Sequence, residues 1–406
     1  MTELEVASVR HPDRAKLDEE NSASATARLD RYLRLAQTAR GTEAGDYLRR
    51  FWHPILLADE VPSGYAAQVR IMGEDLAIWR TTSGQVSLVA NQCPHRGTFL
   101  HTGTVEGDFL RCMYHGWMFA GDGQCVAAPP ERETFAARQR VASYPVEEYL
   151  GLVFAYLGEG TPPPLPRYPE LEEGAAVRAQ SYDRRCNYFY DVDNGLDPTH
   201  TYFTHAGSSL DVAGLDAVPE VEGEESRWGI AQYGRRGGRT RVSHHGMPNI
   251  LLLSVPDFID EGWPWSQIMV WRVPVDDDSH INFTVNFLHG TAAQNELYLS
   301  RMVAWEQEVA ALPPRHDLVD DILAGRVRVR DPEVLARADL LMIQDDVTQV
   351  AQGPLERRAE EKLGRGDVLI TLLRRLWRRD LDAIANGEEP TAWEWTPEHQ
   401  ATNGLA

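Results

Sequence analysis

Two short segments, each mixing one cysteine with one histidine, constrain this chain of 406 residues more than anything else in it. NQCPHRGTFL carries Cys93-x-His95 and RCMYHGWMF carries Cys112-x-x-His115, with sixteen residues between His95 and Cys112. Each pair sets a soft thiolate and an imidazole on a tight loop containing Pro or Gly, and two such loops together offer four ligands. Three readings compete. A structural zinc site takes two Cys and two His, but its usual spacing keeps the two cysteines on one loop and the two histidines on the other. One of each on both loops suits a two-iron cluster in which one iron takes both cysteines and the other both histidines. The third reading is four unrelated buried side chains. The remaining cysteines, Cys125 and Cys186, have no partner at ligand spacing and read as small buried hydrophobes. Four cysteines in so long a chain make no disulfide framework and suit a reducing cytosol.

The chain around these loops reads as α+β. Residues 1–20 are polar and charged, a frayed tail, and Thr26 to Phe51 reads as helices broken near Gly41 and Gly45. Between about Val61 and Leu157, short runs alternate with Gly/Asp/Ser turns: Gln68–Met72, Leu76–Arg80, Val86–Ala90 and Gly151–Tyr156. That texture predicts a small all-β module. Pro162, Pro163, Pro164, Pro166 and Pro169 then make a stiff connector. After it, Tyr182 to Tyr190 reads as a strand feeding a short helix around Thr199. Strand-like runs at Ile250–Val255, Gln267–Val273 and Ile281–Leu288 predict an antiparallel sheet. From Ala292 the periodicity is helical, including Pro332–Ala351 and Leu355–Ala385. The expected division is an N-terminal tail and helix over 1–44 packing with the larger domain, a β module over 45–160, and the larger domain over 161–406.

Lys+Arg 40 against Asp+Glu 61 leaves a net charge of −21, which repels phosphate backbones and anionic lipid, so no nucleic acid and no membrane is expected. The start, MTELEVASVRHPDR, has no apolar core of a secretory signal, and no run approaches the roughly 18 apolar residues of a bilayer span. A cytoplasmic protein is expected.

A second constellation lies in DVDNGLDPTHTYFTH, which holds Asp197-x-x-His200-x4-His205. Residues at i and i+5 stand about 140° apart on a straight α-helix, so the two histidines converge only if a π-type turn intervenes or the helix ends between them. Two histidines and a carboxylate on one side of a ferrous ion leave open positions for O₂ and substrate. The bland alternative makes Asp197 a helix cap before Pro198, with packed or exposed histidines. Asn194 either orients such a site or is a solvated helix-start residue.

Together the two constellations resemble the large (alpha) subunit of Rieske non-haem iron oxygenases, over about Gly45 to Ala385. The resemblance implies a Rieske [2Fe–2S] cluster on Cys93, His95, Cys112 and His115, and a helix-grip catalytic domain holding Fe(II) on His200 and His205. It also makes Asp197 a bridge, hydrogen-bonded to an iron-ligating His and to a cluster-ligating His of the neighbouring subunit. The family's third iron ligand is a carboxylate on a late helix, where QDDVTQVAQGPLERRAEEKLGRGD offers Asp345 and Asp346. The phthalate-dioxygenase-like branch is similar at Gln344-Asp345, Gly353-Pro354, Arg358, Glu361, Leu363-Gly364 and Asp367, a register that selects Asp345. Periodicity points the other way, because Ala336, Leu340, Ile343, Val347 and Val350 define an apolar face that Asp346 flanks more closely. The several matched positions are followed here. A Glu often found five residues after the ligand is Val350 in this chain.

Thr98 and Trp117 stand where respiratory Rieske proteins carry extra cysteines and a serine, which implies a cluster in the lower part of the Rieske potential range. The chain has no flavin or dinucleotide fingerprint, so the resemblance implies an NAD(P)H-dependent reductase, with or without a ferredoxin, and a homotrimer in which electrons cross between subunits. The implied reaction uses O₂ on a small organic, aromatic substrate, by dioxygenation or monooxygenation, with O- or N-demethylation as the alternative. An electron carrier or redox sensor is the alternative of another class. Trp263, Trp265, Phe283, Phe287 and the Ile250–Leu253 run are candidate core or pocket walls. The basic run Arg374 to Arg379 reads as a solvated helix face or as a docking patch for an acidic donor.

Overall fold

The computed structural model describes residues 24–129, 131–208, 217–256 and 263–402, so the expected tail over 1–20 lies outside the described residues. Two helices lead in, α1 (Ala25–Ala36) and α2 (Glu43–Leu48). The chain reverses at Gly41 with φ +86°, but Gly45 does not break a helix as expected. It lies inside α2, where a Cβ would come 2.2 Å from the Ala39 carbonyl oxygen, so close packing is what demands glycine there.

Eleven short strands follow: β1 (Trp52–Leu57), β2 (Ala66–Ile71), β3 (Glu74–Arg80), β4 (Val86–Ala90), β5 (Thr104–Glu106), β6 (Phe109–Arg111), β7 (Met118–Phe119), β8 (Cys125–Ala127), β9 (Ser143–Tyr144), β10 (Val146–Tyr149) and β11 (Leu152–Tyr156). They form three small antiparallel sheets, ordered β1-β11-β10, β2-β3-β4-β9 and β5-β6-β7-β8. A separate apolar cluster around Trp79, Val89, Leu110 and Phe119 fills the space beneath the Cys93 and Cys112 loops.

The larger sheet has seven antiparallel strands in the order β12-β18-β17-β16-β15-β14-β13. They are β12 (Ala176–Arg184), β13 (Glu220–Glu225), β14 (Gly229–Arg236), β15 (Arg239–Gly246), β16 (Ile250–Val255), β17 (Ser266–Pro274) and β18 (His280–Leu288). Side chains alternate between its two faces. Leu252, Met269, Trp271, Phe283, Val285 and Phe287 go into the main core. Leu251, Leu253, Ile268, Val270, Thr284 and Asn286 line a cavity on the other face. Phe283 and Phe287 are therefore core. Of the Ile250–Leu253 run, Leu251 and Leu253 are cavity walls. Trp263 packs near Tyr298 in a small satellite cluster.

The helices that position the site are α3 (Tyr188–Gly195), α4 (His200–Phe203), α5 (Ala292–Ala311), α6 (Arg315–Leu323), α7 (Leu340–Val350) and α8 (Val368–Ala385). The expected strand-to-helix segment Tyr182–Tyr190 divides where Asn187 caps α3, its side chain accepting from Phe189 N. The periodic stretch 332–351 splits into a single turn and α7. The stretch 355–385, expected to be one helix, is instead two 3₁₀ turns (Leu355–Glu360, Arg365–Asp367) followed by α8. Gly364, in extended backbone, separates the two turns. On α8, Leu373, Leu376 and Trp377 are fully buried, each contributing about 1.5–3 kcal/mol of burial.

Candidate active site

The Cys93 and Cys112 loops are the same turn built twice. Gly97 N donates to Cys93 O (2.8 Å) and Gly116 N to Cys112 O (3.0 Å), while Cys93 N donates to Thr98 O (2.9 Å) and Cys112 N to Trp117 O (2.8 Å). Both turns close through a glycine with positive φ, Gly97 at +74° and Gly116 at +69°, where a side chain would be strained. The loops bring His95 and His115 to 4.4 Å between ring centroids, and Trp117 stacks on His95 at 4.8 Å. Both cysteines are buried and free. Burial first, and then the adjacent Cys112, push the Cys93 thiol up to about 11. A thiol raised in this way becomes a thiolate beside cationic charge such as a metal supplies. His95 Nδ1 is sealed from solvent and has no hydrogen-bond partner. An orphaned imidazole nitrogen on a loop that also carries a buried free thiol fits a two-Cys, two-His cluster. Cys125 and Cys186 are buried elsewhere, against the Ala127 carbonyl and the Gln349 amide oxygen.

Pro198 and the short α4 bring the second set together. The helix stops at Phe203, between the two histidines, so His200 and His205 converge with ring centroids 5.4 Å apart. His200 Nδ1 donates to the Asp197 backbone carbonyl and His205 Nδ1 faces Gln344 Oε1 at 3.1 Å. Each bond occupies Nδ1 and leaves Nε2 as the nitrogen available to a metal. Asp345 on α7 completes the set: one donor atom each from His200, His205 and Asp345 lie within 4.8 Å of one another. Burial holds His200 below the ordinary imidazole value despite Asp345. Two imidazoles and one carboxylate fit a ferrous ion. Asn194, in the last turn of α3 rather than at a helix start, points its amide at both His200 Nε2 (3.4 Å) and Asp345 Oδ1 (3.5 Å).

Asp346 has a different place. It is fully buried, taking Arg184 Nε at 2.8 Å and Arg315 Nε at 2.6 Å. Arg184 also reaches Asp191 on α3 at 2.6 Å, and Asp191 accepts from Arg272, His280 and Asn282 as well. Arg184 and Arg272 hold Asp191 well below the usual carboxylate range against its burial. Arg184 thus ties α3, which carries Asn194, to α7, which carries Asp345. Sequence reading missed this node: β12 shows Arg184 as one charge among many, and no local spacing links it to Asp191 and Asp346. The Asp197 carboxylate accepts from Thr199 N at 2.9 Å, a cap on the turn entering α4. Val350 packs against the main core.

The three donor groups lie on one wall of a cavity of about 410 Å³, whose other walls are mostly apolar. Such a volume and composition are those of a small-molecule site.

Residues 51–145 match the model of the Rieske [2Fe-2S] domain. Over 385 residues the chain is 31% identical to the phenoxybenzoate dioxygenase subunit alpha of Ectopseudomonas oleovorans, covering 88% of this chain and 86% of that one. It is 29% identical over 371 residues to the 5,5'-dehydrodivanillate O-demethylase oxygenase subunit of a Sphingobium species, covering 88% and 81%. Its fold is similar to the oxygenase in a reduced oxygenase–ferredoxin complex of carbazole 1,9a-dioxygenase, with a TM-score of 0.58, 21% identity and coverage of 95% and 99%.

Proposed function

The chain belongs to the Rieske non-haem iron oxygenases as an alpha subunit, and from that premise we propose that Cys93, His95, Cys112 and His115 hold its cluster while His200, His205 and Asp345 hold its iron. It is an oxidoreductase, the terminal component that hydroxylates a small aromatic substrate with O₂ and electrons from a reductase. When both groups are bound they supply one-electron transfer and O₂ activation beside the substrate. The observation that carries the site assignment is the convergence of His200, His205 and Asp345 within 4.8 Å on the wall of the cavity.

The chain's own residues do the positioning. Gln344 and the Asp197 carbonyl fix the imidazole tautomers, Asn194 steadies His200 and Asp345, and the apolar walls exclude water from the reacting centre. Residues 45–160 form the cluster module and 161–406 the oxygenase module, with the helix of 1–44 packed on the latter. Arg28 of α1 donates to the Ala359 carbonyl and Tyr32 to Asp193, contacts that support the last point. Asp197 bridges to a cluster-ligating histidine of the next subunit in a homotrimer. Its place at the turn entering α4, beside His200, supports that role. The four free cysteines support a cytoplasmic protein, and no helix of the described residues is long and apolar enough to cross a membrane.

The test is iron and product together. The purified, reconstituted protein should carry about three irons per chain and show the EPR signal of a reduced Rieske cluster. With a reductase it should place label from ¹⁸O₂ into an aromatic acid or ether. About two irons and no labelled product would instead describe an electron carrier. Hydroxylation across a ring double bond and release of formaldehyde from a methoxy group separate dioxygenation from O-demethylation, the reaction of the Sphingobium relative.

A further inference from the structure

Most charges that line the cavity are already paired. Asp191 and Arg272 hold each other, Asp339 is taken by Arg337, and Asp345 belongs to the metal-ligating set. Asp197 accepts from Thr199 N, and Arg241 on β15 is the remaining arginine. It also lines the cavity, yet among the described residues it pairs with no carboxylate. Among the described residues its side chain makes one hydrogen bond, which holds it in place: Nη2 donates to the Ser254 backbone carbonyl on β16 at 2.6 Å. Its Nε is sealed from solvent with no partner. Its cross-strand neighbour is Gly234, which has no side chain to cover the guanidinium. Burial and the nearby Arg236 push Arg241 down to about 10, so it remains a cation at neutral pH.

The next cross-strand pair on the same face is Gln232 opposite Ser243, and both line the cavity. Gln232 is 5% exposed, and its Oε1 also lacks a partner. A half-buried guanidinium with its Nε sealed and a buried primary amide, neighbours with bonds unmade, form a costly wall unless a ligand completes them. Turned about its terminal torsion, the Gln232 amide donates beside Arg241. From there Leu253, Leu251 and Val270 lead as an apolar strip across the sheet.

We infer that Arg241, flanked by Gln232 and Ser243, anchors a carboxylate of the substrate, so that the protein takes aromatic acids and lays the ring along Leu251, Leu253 and Val270. A planar guanidinium fork matches a planar carboxylate in two parallel bonds, and one cation balances one such charge. The cavity of about 410 Å³ has room for a monocyclic acid with a ring substituent. This rests on the oxygenase reading, since it names the substrate class of the same cavity.

Binding tests it without turnover. Isothermal titration of the reconstituted holoenzyme with benzoate and 4-methoxybenzoate, and with their carboxamides, should show the acids favoured by about tenfold or more. Arg241→Gln should remove that preference while leaving carboxamide binding and the cluster absorption unchanged. Arg241→Lys should keep part of it, and Gln232→Leu should lower acid affinity by a smaller factor. Arg239→Gln removes the same charge from an exposed position of the same strand and should behave as the native protein. Acids that bind no better than their carboxamides in the native protein, binding of neither included, would overturn the assignment. So would an unchanged acid preference in Arg241→Gln. Either result would leave the oxygenase reading standing, because that depends on iron content and labelled product.

Discussion

Asp345 and Asp346 are chemically identical neighbours on α7, and 100° of helical rotation gives them unlike work. Asp345 reaches the cavity with its side chain 21% exposed, 3.5 Å from His205 Nε2. Asp346, 1% exposed, neutralises Arg184 and Arg315. Removing one member of a buried ion pair leaves uncompensated charge and costs about 3–5 kcal/mol. Asp346→Ala should therefore lower the melting temperature sharply or abolish soluble expression. Asp345→Ala should fold with its Rieske signal intact and carry one iron fewer per chain. Iron analysis beside thermal denaturation reads both, and loss of iron from Asp346→Ala with native stability would reverse the assignment. Periodicity and motif register answer different questions about this pair. Periodicity placed Asp346 inside, where it is. It could not show that the inside is an ion-pair node, because Arg184 lies 162 residues away. The register of surrounding motif positions is what points to Asp345 as the ligand, the reading that the iron analysis tests.

Elements were legible where local pattern decides them. The alternating runs of the β module and of β16, β17 and β18 lie where the sequence places them, within a few residues. Between His200 and His205 the sequence allows a π-type turn or a helix end, and the structure has the end, at Phe203. Segments whose form depends on distant partners were not legible. Arg374 to Arg379 reads as a solvated face or a docking patch, yet the structure divides it. Arg374 turns inward, 6% exposed, onto Asp193 (2.5 Å) and Glu361 (2.6 Å), fastening α8 to α3 and to the 3₁₀ segment before it. Arg379 stays half-exposed on Glu225. Arg374→Ala should cost about 3–5 kcal/mol. Arg379→Ala should cost no more than about 1 kcal/mol. Chemical denaturation with linear extrapolation measures both, and equal small losses would mean the inward pair holds nothing. The 3₁₀ turns at 355–367 were hidden for the same reason. Charged Arg358 and Glu361 suggest surface helix, but Arg358 packs over Tyr190 at 4.1 Å and its ion pair with Glu361 is internal.

At the scale of the whole molecule, the Cys93 and Cys112 loops lie in the small β module, whereas His200, His205 and Asp345 lie at α4 and on α7 beside the larger sheet, and Asp197 stands at the turn that enters α4. If electrons cross between chains, two crippled chains should rescue each other. A chain with Cys112→Ala keeps His200, His205 and Asp345, and a chain with Asp345→Ala keeps both cluster loops. Each alone should be inactive. Co-expressed with different affinity tags and purified through both, mixed assemblies should regain activity, because a neighbour with intact loops stands beside an intact iron set. In random mixed trimers only some of the interfaces join an intact pair in the required direction, so recovery should be partial. Adding Asp197→Ala to the Cys112→Ala chain should abolish the recovery, whereas adding it to the Asp345→Ala chain should not. That asymmetry follows because the bridge acts from the chain that holds the iron, next to its own His200. Equal loss from both placements would make Asp197 a structural cap and no more, consistent with its bond to Thr199 N. Failure of any mixture to recover, with both tags present in one particle, would place the electron path within a single chain.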